Sequence, residues 1–184
     1  MQTESTPETL WLDGVHVAPS PNFDERPDCP IDLLVIHNIS LPPGQFGGPH
    51  IKDFFCNQLD CHIHPFFREI ENLKVSAHFL IDRAGQVTQF VPLDKRAWHA
   101  GASTFCGRQR CNDFSIGIEM EGTDDSPYTE AQYQSLTRLT REIQQHYPAI
   151  TRERITGHSD ISPGRKTDPG PFFDWEKYRA LLQF

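Results

Sequence analysis

The stretch FSIGIEME, residues 114–121, decides how this chain is read. Apolar and polar residues alternate along it. Ile116, Ile118 and Met120 fall on one face and Gly117, Glu119 and Glu121 on the other, which is the two-residue period of a strand with one face in a core. Glutamates are not buried without a partner, so the second face points at water or at a site. One strand thus predicts a sheet and marks where chemistry would sit on it.

Working outward, LLVIH (33–37) is a short, branched apolar run that predicts a buried strand ending at His37. SAHFLID (76–82) and QVTQFV (86–91), separated by RAG, predict a hairpin. From Thr129 the period becomes helical, with Tyr133, Leu136, Leu139, Ile143 and Tyr147 spaced by three and four. Thr129 and Gln132 form a capping-box pair, and Pro148 stops the run. A last helix follows Asp174 as N-cap, with Trp175, Tyr178, Leu181 and Leu182 on one side. Between these helices RITGH (154–158) delivers His158 to a loop. Segment 38–75 holds Pro42, Pro43, Gly44, Gly47 and Gly48, so it is read as loop with short helices at 49–59 and 65–73. Strands and helices mixed along 184 residues predict an α/β (α+β) fold in a single domain, 1–184, with a central mixed sheet flanked by helices.

Composition narrows the partners. A formal net charge of −8 excludes general attraction to nucleic acid or to an anionic membrane, and any acidic ligand would need a local basic pocket. No apolar run approaches the ~18–20 residues that span a bilayer, and the start MQTESTPETL lacks the basic and apolar segments of a secretory leader. A cytoplasmic protein is expected. Five cysteines are an odd count and fit reduced thiols. CNQLDCHIH (56–64) could as a bare pattern hold a second, structural zinc. With Cys56 on a helix and Cys61 in a turn, these two, like Cys106 and Cys111, are read as ordinary thiols, and His64 before Pro65 as structural.

His37 and His158 each follow an apolar run, so both are expected at one edge of the sheet. Asp168 lies ten residues past His158 across a loop restricted by Pro163 and Pro169. Two imidazoles and a carboxylate form a known catalytic zinc ligand set with a fourth position open. Spacing does not select these two among nine histidines: His16, His50, His62, His64, His78, His99 and His146 remain equal candidates on that ground.

The choice comes from a resemblance. LLVIHNISLPPGQFGG, VSAHFLI, DKRAWHAG, CNDFSIGIEMEGT and GHSDISPGRKTDPG, in that order, resemble the AmpD amidases, cytoplasmic enzymes of cell-wall recycling related to phage lysozyme-amidases and peptidoglycan recognition proteins. The resemblance runs from about residue 19 to 178. It implies hydrolysis of the amide between the lactyl group of 1,6-anhydro-N-acetylmuramic acid and L-alanine, and an indirect influence on β-lactamase induction. It also implies one Zn²⁺ per chain held by His37, His158 and Asp168 in a groove at one sheet edge, with Glu119 as catalytic acid/base and Lys166 beside the metal. Trp98 of AWHAG is expected to line the groove and Asn38 to donate to the sugar's acetamido group. Arg110, Arg165 and Lys74 are the basic groups expected to meet the stem-peptide carboxylates. The expected partner is a small anhydro-muropeptide, neither nucleic acid nor membrane, bound by a monomer.

Overall fold

The computed structural model describes residues 9–183. The start MQTESTPETL falls mostly on residues 1–8, which lie outside the described residues. Along the chain come β1 (His16–Val17), β2 (Phe23–Asp24), β3 (Leu33–Ile39), α1 (His50–Phe55), α2 (Pro65–Ile70), β4 (Phe79–Ile81) and β5 (Val87–Gln89). They are followed by β6 (Arg96–Ala97), β7 (Thr104–Phe105), β8 (Arg108–Gln109), β9 (Ser115–Glu121), α3 (Glu130–His146), β10 (Ile155–Gly157), α4 (His158–Ile161) and α5 (Trp175–Leu182). Six strands make the main sheet in the order β1-β5-β4-β9-β3-β10. β9 is parallel to both β3 and β4, β3 is parallel to β10, and β4 and β5 form the antiparallel hairpin expected from the sequence. The sheet is therefore mixed, with helices packed on it, as expected.

The alternation of FSIGIEME divides the molecule. On one face of β9 and its neighbours, Ile116, Ile118 and Met120 join Leu34, Ile36, Phe79 and Ile81 in a core covered by Tyr133, Leu136, Leu139 and Ile143 of α3 and Tyr178 and Leu182 of α5. Each such side chain, once buried, contributes about 1.5–3 kcal/mol. α3 begins at the predicted capping box: Thr129 Oγ1 accepts from Gln132 N, and Gln132 Oε1 from Thr129 N. α5 is capped by Asp174, whose Oδ1 accepts from Lys177 N.

On the opposite face two smaller apolar clusters leave a polar strip between them. One is built from Phe54, Phe55, Phe67, Leu80 and Phe90, the other from Leu33, Val35, Ala100, Phe114 and Ile161. Segment 97–103 crosses this face, and the His99 ring lies directly over Gly117. A Cβ at Gly117 would stand 2.5 Å from His99 Cγ, so any other residue at this strand position would have to displace the His99 ring.

Several expectations shift at their ends. β3 continues two residues past His37, because Asn38 and Ile39 stay paired with Met120 and Glu121. His158 does not enter a loop; it opens the short helix α4, where Asp160 Oδ2 accepts from Gly157 N and Thr156 Oγ1 and turns the chain. The two helices of segment 38–75 are shorter than read, and His64 is the N-cap of α2, its Nδ1 accepting from Phe66 N.

Gly117→Ala should destabilise the fold by roughly 1–3 kcal/mol, the usual scale of overpacking. A urea-unfolding midpoint unchanged from wild type would show that the His99 ring yields freely.

Candidate metal centre and groove

Register explains why the site forms where it does. His37 of β3 stands directly opposite Glu119 of β9, and Leu80 of β4 stands opposite Glu119 on its other side. β10 pairs Gly157 with Ile36, so the next residue, His158, emerges beside His37. Three parallel strands thus present Glu119, His37 and His158 at their carboxyl ends.

Asp168 closes the group from the loop after α4. His37 Nδ1 lies 3.0 Å from His158 Nδ1 and 3.1 Å from Asp168 Oδ2, and His158 Nδ1 lies 3.0 Å from the same Oδ2. These atoms are near enough to one another to hold one metal ion. His37 and His158 are buried, while the Asp168 side chain remains 14% exposed, open toward the groove. The loop is held at two points: Asp168 O accepts from Ser159 N at 2.9 Å, and Pro169 O accepts from the buried Tyr128 hydroxyl at 2.8 Å.

Electrostatics favour a ligand-ready state. Burial pushes His37 down to about 4, against the opposing pull of Asp168, so the ring is neutral near pH 7. Burial would raise Asp168, but its hydrogen bonds with His158 and His37 win and hold the carboxyl well below the usual range. Neutral imidazoles and an ionised carboxylate are the forms that bind a divalent cation. Glu119 behaves oppositely. Burial, and then the neighbouring Asp168 charge, raise its carboxyl well above the usual range while Lys166 pulls it down. Among the described residues its Oε2 is buried without a hydrogen-bond partner, an arrangement that costs about 1–3 kcal/mol unless something in the groove meets it.

These residues line one groove of about 380 Å³, together with Asn38, Leu41, Phe54, Phe66, Ile70, Trp98, His99 and Lys166. It is polar at the His-His-Asp end and apolar toward α1 and α2, the mixture of apolar wall and few convergent polar groups common in small-molecule sites. Of the residues named from sequence, His37, His158, Asp168, Glu119, Lys166, Asn38 and Trp98 are brought together here. Asn38 Nδ2 donates to Asp124 Oδ1 at 2.8 Å. Arg110 and Arg165 do not line this groove; they border an adjacent depression with Ala102, Ser103, Thr104, Gln109 and Ser162. Arg165 Nη2 is engaged by Ala100 O at 2.6 Å, Ala102 O at 2.9 Å and Ser162 Oγ at 2.9 Å. It thereby braces the chain behind His158. Arg110 is 73% exposed and reaches only Asp113, Nε to Oδ2 at 3.4 Å. Lys74 is exposed.

Sequence reasoning missed the residues that hold the site's frame. Glu121 accepts from Gly47 N at 2.6 Å and Arg83 N at 3.0 Å, tying the 40–48 loop to the end of β9. Its place on the Glu119 face was the available signal. Asn112 Oδ1 accepts from both His99 N and Ala100 N, a bridge no periodicity reveals. Asp60, Cys61 and His62 also lie close enough for a metal, but Asp60 and His62 are exposed and adjacent in sequence, so proximity there follows from the chain itself.

The chain is similar to known amidases. A family model described as N-acetylmuramoyl-L-alanine amidase matches residues 27–171, a span that contains β3, β9, His158 and Asp168. The chain is 58% identical over 176 residues to the 1,6-anhydro-N-acetylmuramyl-L-alanine amidase AmpD of Escherichia coli (strain K12), covering 95% of this chain and 96% of that relative. Among solved structures, a selenomethionine derivative of AmpD superposes with a TM-score of 0.91 at 57% identity, over 94% of this chain and 96% of the other. The amidase AmiD of Escherichia coli, solved with the substrate anhydro-N-acetylmuramic acid-L-Ala-D-gamma-Glu-L-Lys, aligns with a TM-score of 0.61 at 28% identity, over 87% of this chain and 65% of the other. A match of this length, carrying every member of the His-His-Asp group and the glutamate beside it, shows that the chain belongs to the N-acetylmuramoyl-L-alanine amidase family.

Proposed function

We propose that this chain is a zinc-dependent amidase that hydrolyses the amide between the lactyl group of 1,6-anhydro-N-acetylmuramic acid and L-alanine in soluble muropeptides, in the recycling of peptidoglycan. The observation that carries this reading is the convergence of two buried imidazoles and one carboxylate, about 3 Å apart, beside a buried glutamate oxygen that has no hydrogen-bond partner among the described residues. Similarity to AmpD relatives across nearly the whole chain supports the anhydro-muropeptide as substrate.

His37 Nδ1, His158 Nδ1 and Asp168 Oδ2 would hold the zinc, one ion per chain. When bound, zinc lowers the pKa of water to about 7 and polarises a carbonyl, which is the chemistry amide hydrolysis needs. Glu119, its affinity for a proton raised by burial, takes the proton of the attacking water and returns it to the leaving amine of L-alanine. Lys166, on the groove wall, faces the negative charge that develops on the carbonyl oxygen. The apolar end of the groove and Trp98 receive the sugar, and Asn38 presents its amide to the acetamido group. Arg110, exposed at the adjacent depression, meets a stem-peptide carboxylate, whereas Arg165 acts mainly by bracing residues 100–102. No helix among the described residues is long and apolar enough to cross a membrane, and the net charge of −8 disfavours an anionic membrane surface; the reading takes the protein as a monomer that works on soluble fragments in the cytoplasm.

The decisive experiment is mass spectrometry of the products formed from anhydro-muropeptides by zinc-loaded protein, with release of the intact stem peptide expected. Absence of that product, or faster turnover of intact wall than of soluble fragments, would defeat the recycling role. His37→Ala and Asp168→Ala should lose zinc and activity together, and full activity after chelation would refute metal dependence. Glu119→Gln should retain zinc by elemental analysis and lose rate by about 10²–10⁴-fold; loss of zinc would make Glu119 a ligand instead. Lys166→Met should lower kcat more than it raises KM, because its charge matters most as the carbonyl oxygen becomes negative. Arg110→Ala should cost a tripeptide substrate roughly 1–3 kcal/mol in kcat/KM while sparing one that bears only L-alanine. Arg165→Ala should penalise both substrates alike.

A further inference from the structure

We propose that His99 is a positioning residue for His37: its Nδ1 accepts the Nε2–H of His37 and holds that ring in the tautomer whose Nδ1 is free to bind a metal. The inference rests on the reading of His37 as a zinc ligand.

A neutral imidazole carries one N–H. If Nδ1 of His37 ligates a metal, the proton must sit on Nε2, and in a ring only 1% exposed it needs a protein acceptor. The atom in reach is His99 Nδ1, at 2.8 Å. For that nitrogen to accept, His99 must carry its own proton on Nε2, which lies 3.1 Å from the hydroxyl of the fully buried Ser115. The metal-competent state is therefore a directed chain, His37 Nε2–H to His99 Nδ1 and His99 Nε2–H to Ser115 Oγ.

The second imidazole ligand is constrained differently. His158 Nε2 faces the carbonyl of Ala100 at 3.0 Å, closer than the donor-only Arg165 Nη2 at 3.3 Å, and a carbonyl only accepts, so the shorter backbone contact favours the proton on Nε2. His37 has no such bias, since an imidazole and a hydroxyl can each reverse roles. In the reversed chain His99 Nδ1–H would donate to His37 Nε2, and His37 Nδ1–H to Asp168 Oδ2 at 3.1 Å, which occupies the ligand atom with a proton. Ring placement is meanwhile fixed from three sides: Asn112 Oδ1 holds the backbone N–H of His99 and of Ala100, Gly117 leaves room beneath the ring, and the His37 ring meets it edge-on with centroids 4.9 Å apart. Partners of metal-bound imidazoles commonly contribute 10–100-fold in metal affinity.

The test measures zinc affinity by competition with a chromogenic chelator at fixed pH, and reads ring tautomers in zinc-loaded wild type by ¹⁵N NMR. His99→Ala should weaken zinc binding by about 10–100-fold, and Ser115→Ala by about fivefold, the worth of one neutral hydrogen bond. His99→Asn places an amide oxygen where Nδ1 stood and should recover most of the affinity. A residue that merely filled space would show no such difference between Ala and Asn. In the loaded wild type both His37 and His99 should be protonated on Nε2. Zinc affinity unchanged in His99→Ala, equal loss in His99→Asn and His99→Ala, or His99 protonated on Nδ1 in the loaded protein would each overturn the inference while leaving the amidase reading standing. Should His99→Ala fail to fold, the wild-type tautomer and His99→Asn still decide. A wild type that takes up no zinc would overturn both.

Discussion

The constraint on which the rest depends is the in-register parallel pairing of β3 with β9 over seven residue pairs, Leu33 with Ser115 through Ile39 with Glu121. Each strand alternates, so register decides two surfaces at once. In this register one face is apolar from Leu34 and Ile116 up to the Asn38–Met120 pair and packs beneath α3 and α5, and the other sets His37 beside Glu119 over a floor that includes Gly117 and Ser115. A slip of one residue would turn Glu119 into the core and a branched aliphatic into the site. The core therefore enforces the geometry of the chemistry: the free energy that buries Ile116, Ile118 and Met120 also holds the carboxylate and imidazole side by side.

Burial gives the site its electrical character. Taking His37 out of water keeps it neutral, whereas Asp168, tied to two imidazoles, stays ionised despite partial burial. Glu119, desolvated on the groove wall and near that negative charge, is pushed toward its protonated form. Two carboxyl groups in one groove are thus driven in opposite directions, one held ionised and one pushed toward its neutral form. Outer bonds hold this arrangement, among them Tyr128 to Pro169 O and Asn112 to the 99–100 backbone.

The depression that holds Arg110 and Arg165 shows how a strongly basic residue can serve structure. Arg165 and Arg110 look alike in the sequence as candidates for carboxylates, yet one is engaged by Ala100 O, Ala102 O and Ser162 Oγ and the other projects into water. The difference lies in the turn of α4, which brings residue 165 back under residues 100–102. Arg26 repeats the theme deeper in the fold: burial lowers it to about 10, and its guanidinium donates to the carbonyls of Asn112, Asp113 and Ser115 at the entrance to β9.

The sequence by itself determined the strands and helices whose residues repeat with a clear period: β3, the β4–β5 hairpin, β9, the capped α3, and α5 after Asp174. Periodicity reports burial, and burial is what a strand or helix face records in its residue types. From the same pattern the two glutamates of β9 were visible as groups in search of a partner, and the resemblance of five motifs named His37, His158, Asp168 and Lys166. Only the tertiary structure decided which histidines converge, because residues 37 and 158 meet through the β3–β10 ladder and residue 168 through a loop held by Tyr128, contacts that leave no repeat in the chain. It also decided that His158 begins a helix, that Arg165 braces backbone, and that His99 lies over Gly117 against His37. A hydrogen bond between residues 62 positions apart depends on where two rings are carried by separate strands and loops, and no local pattern of residue types encodes that distance.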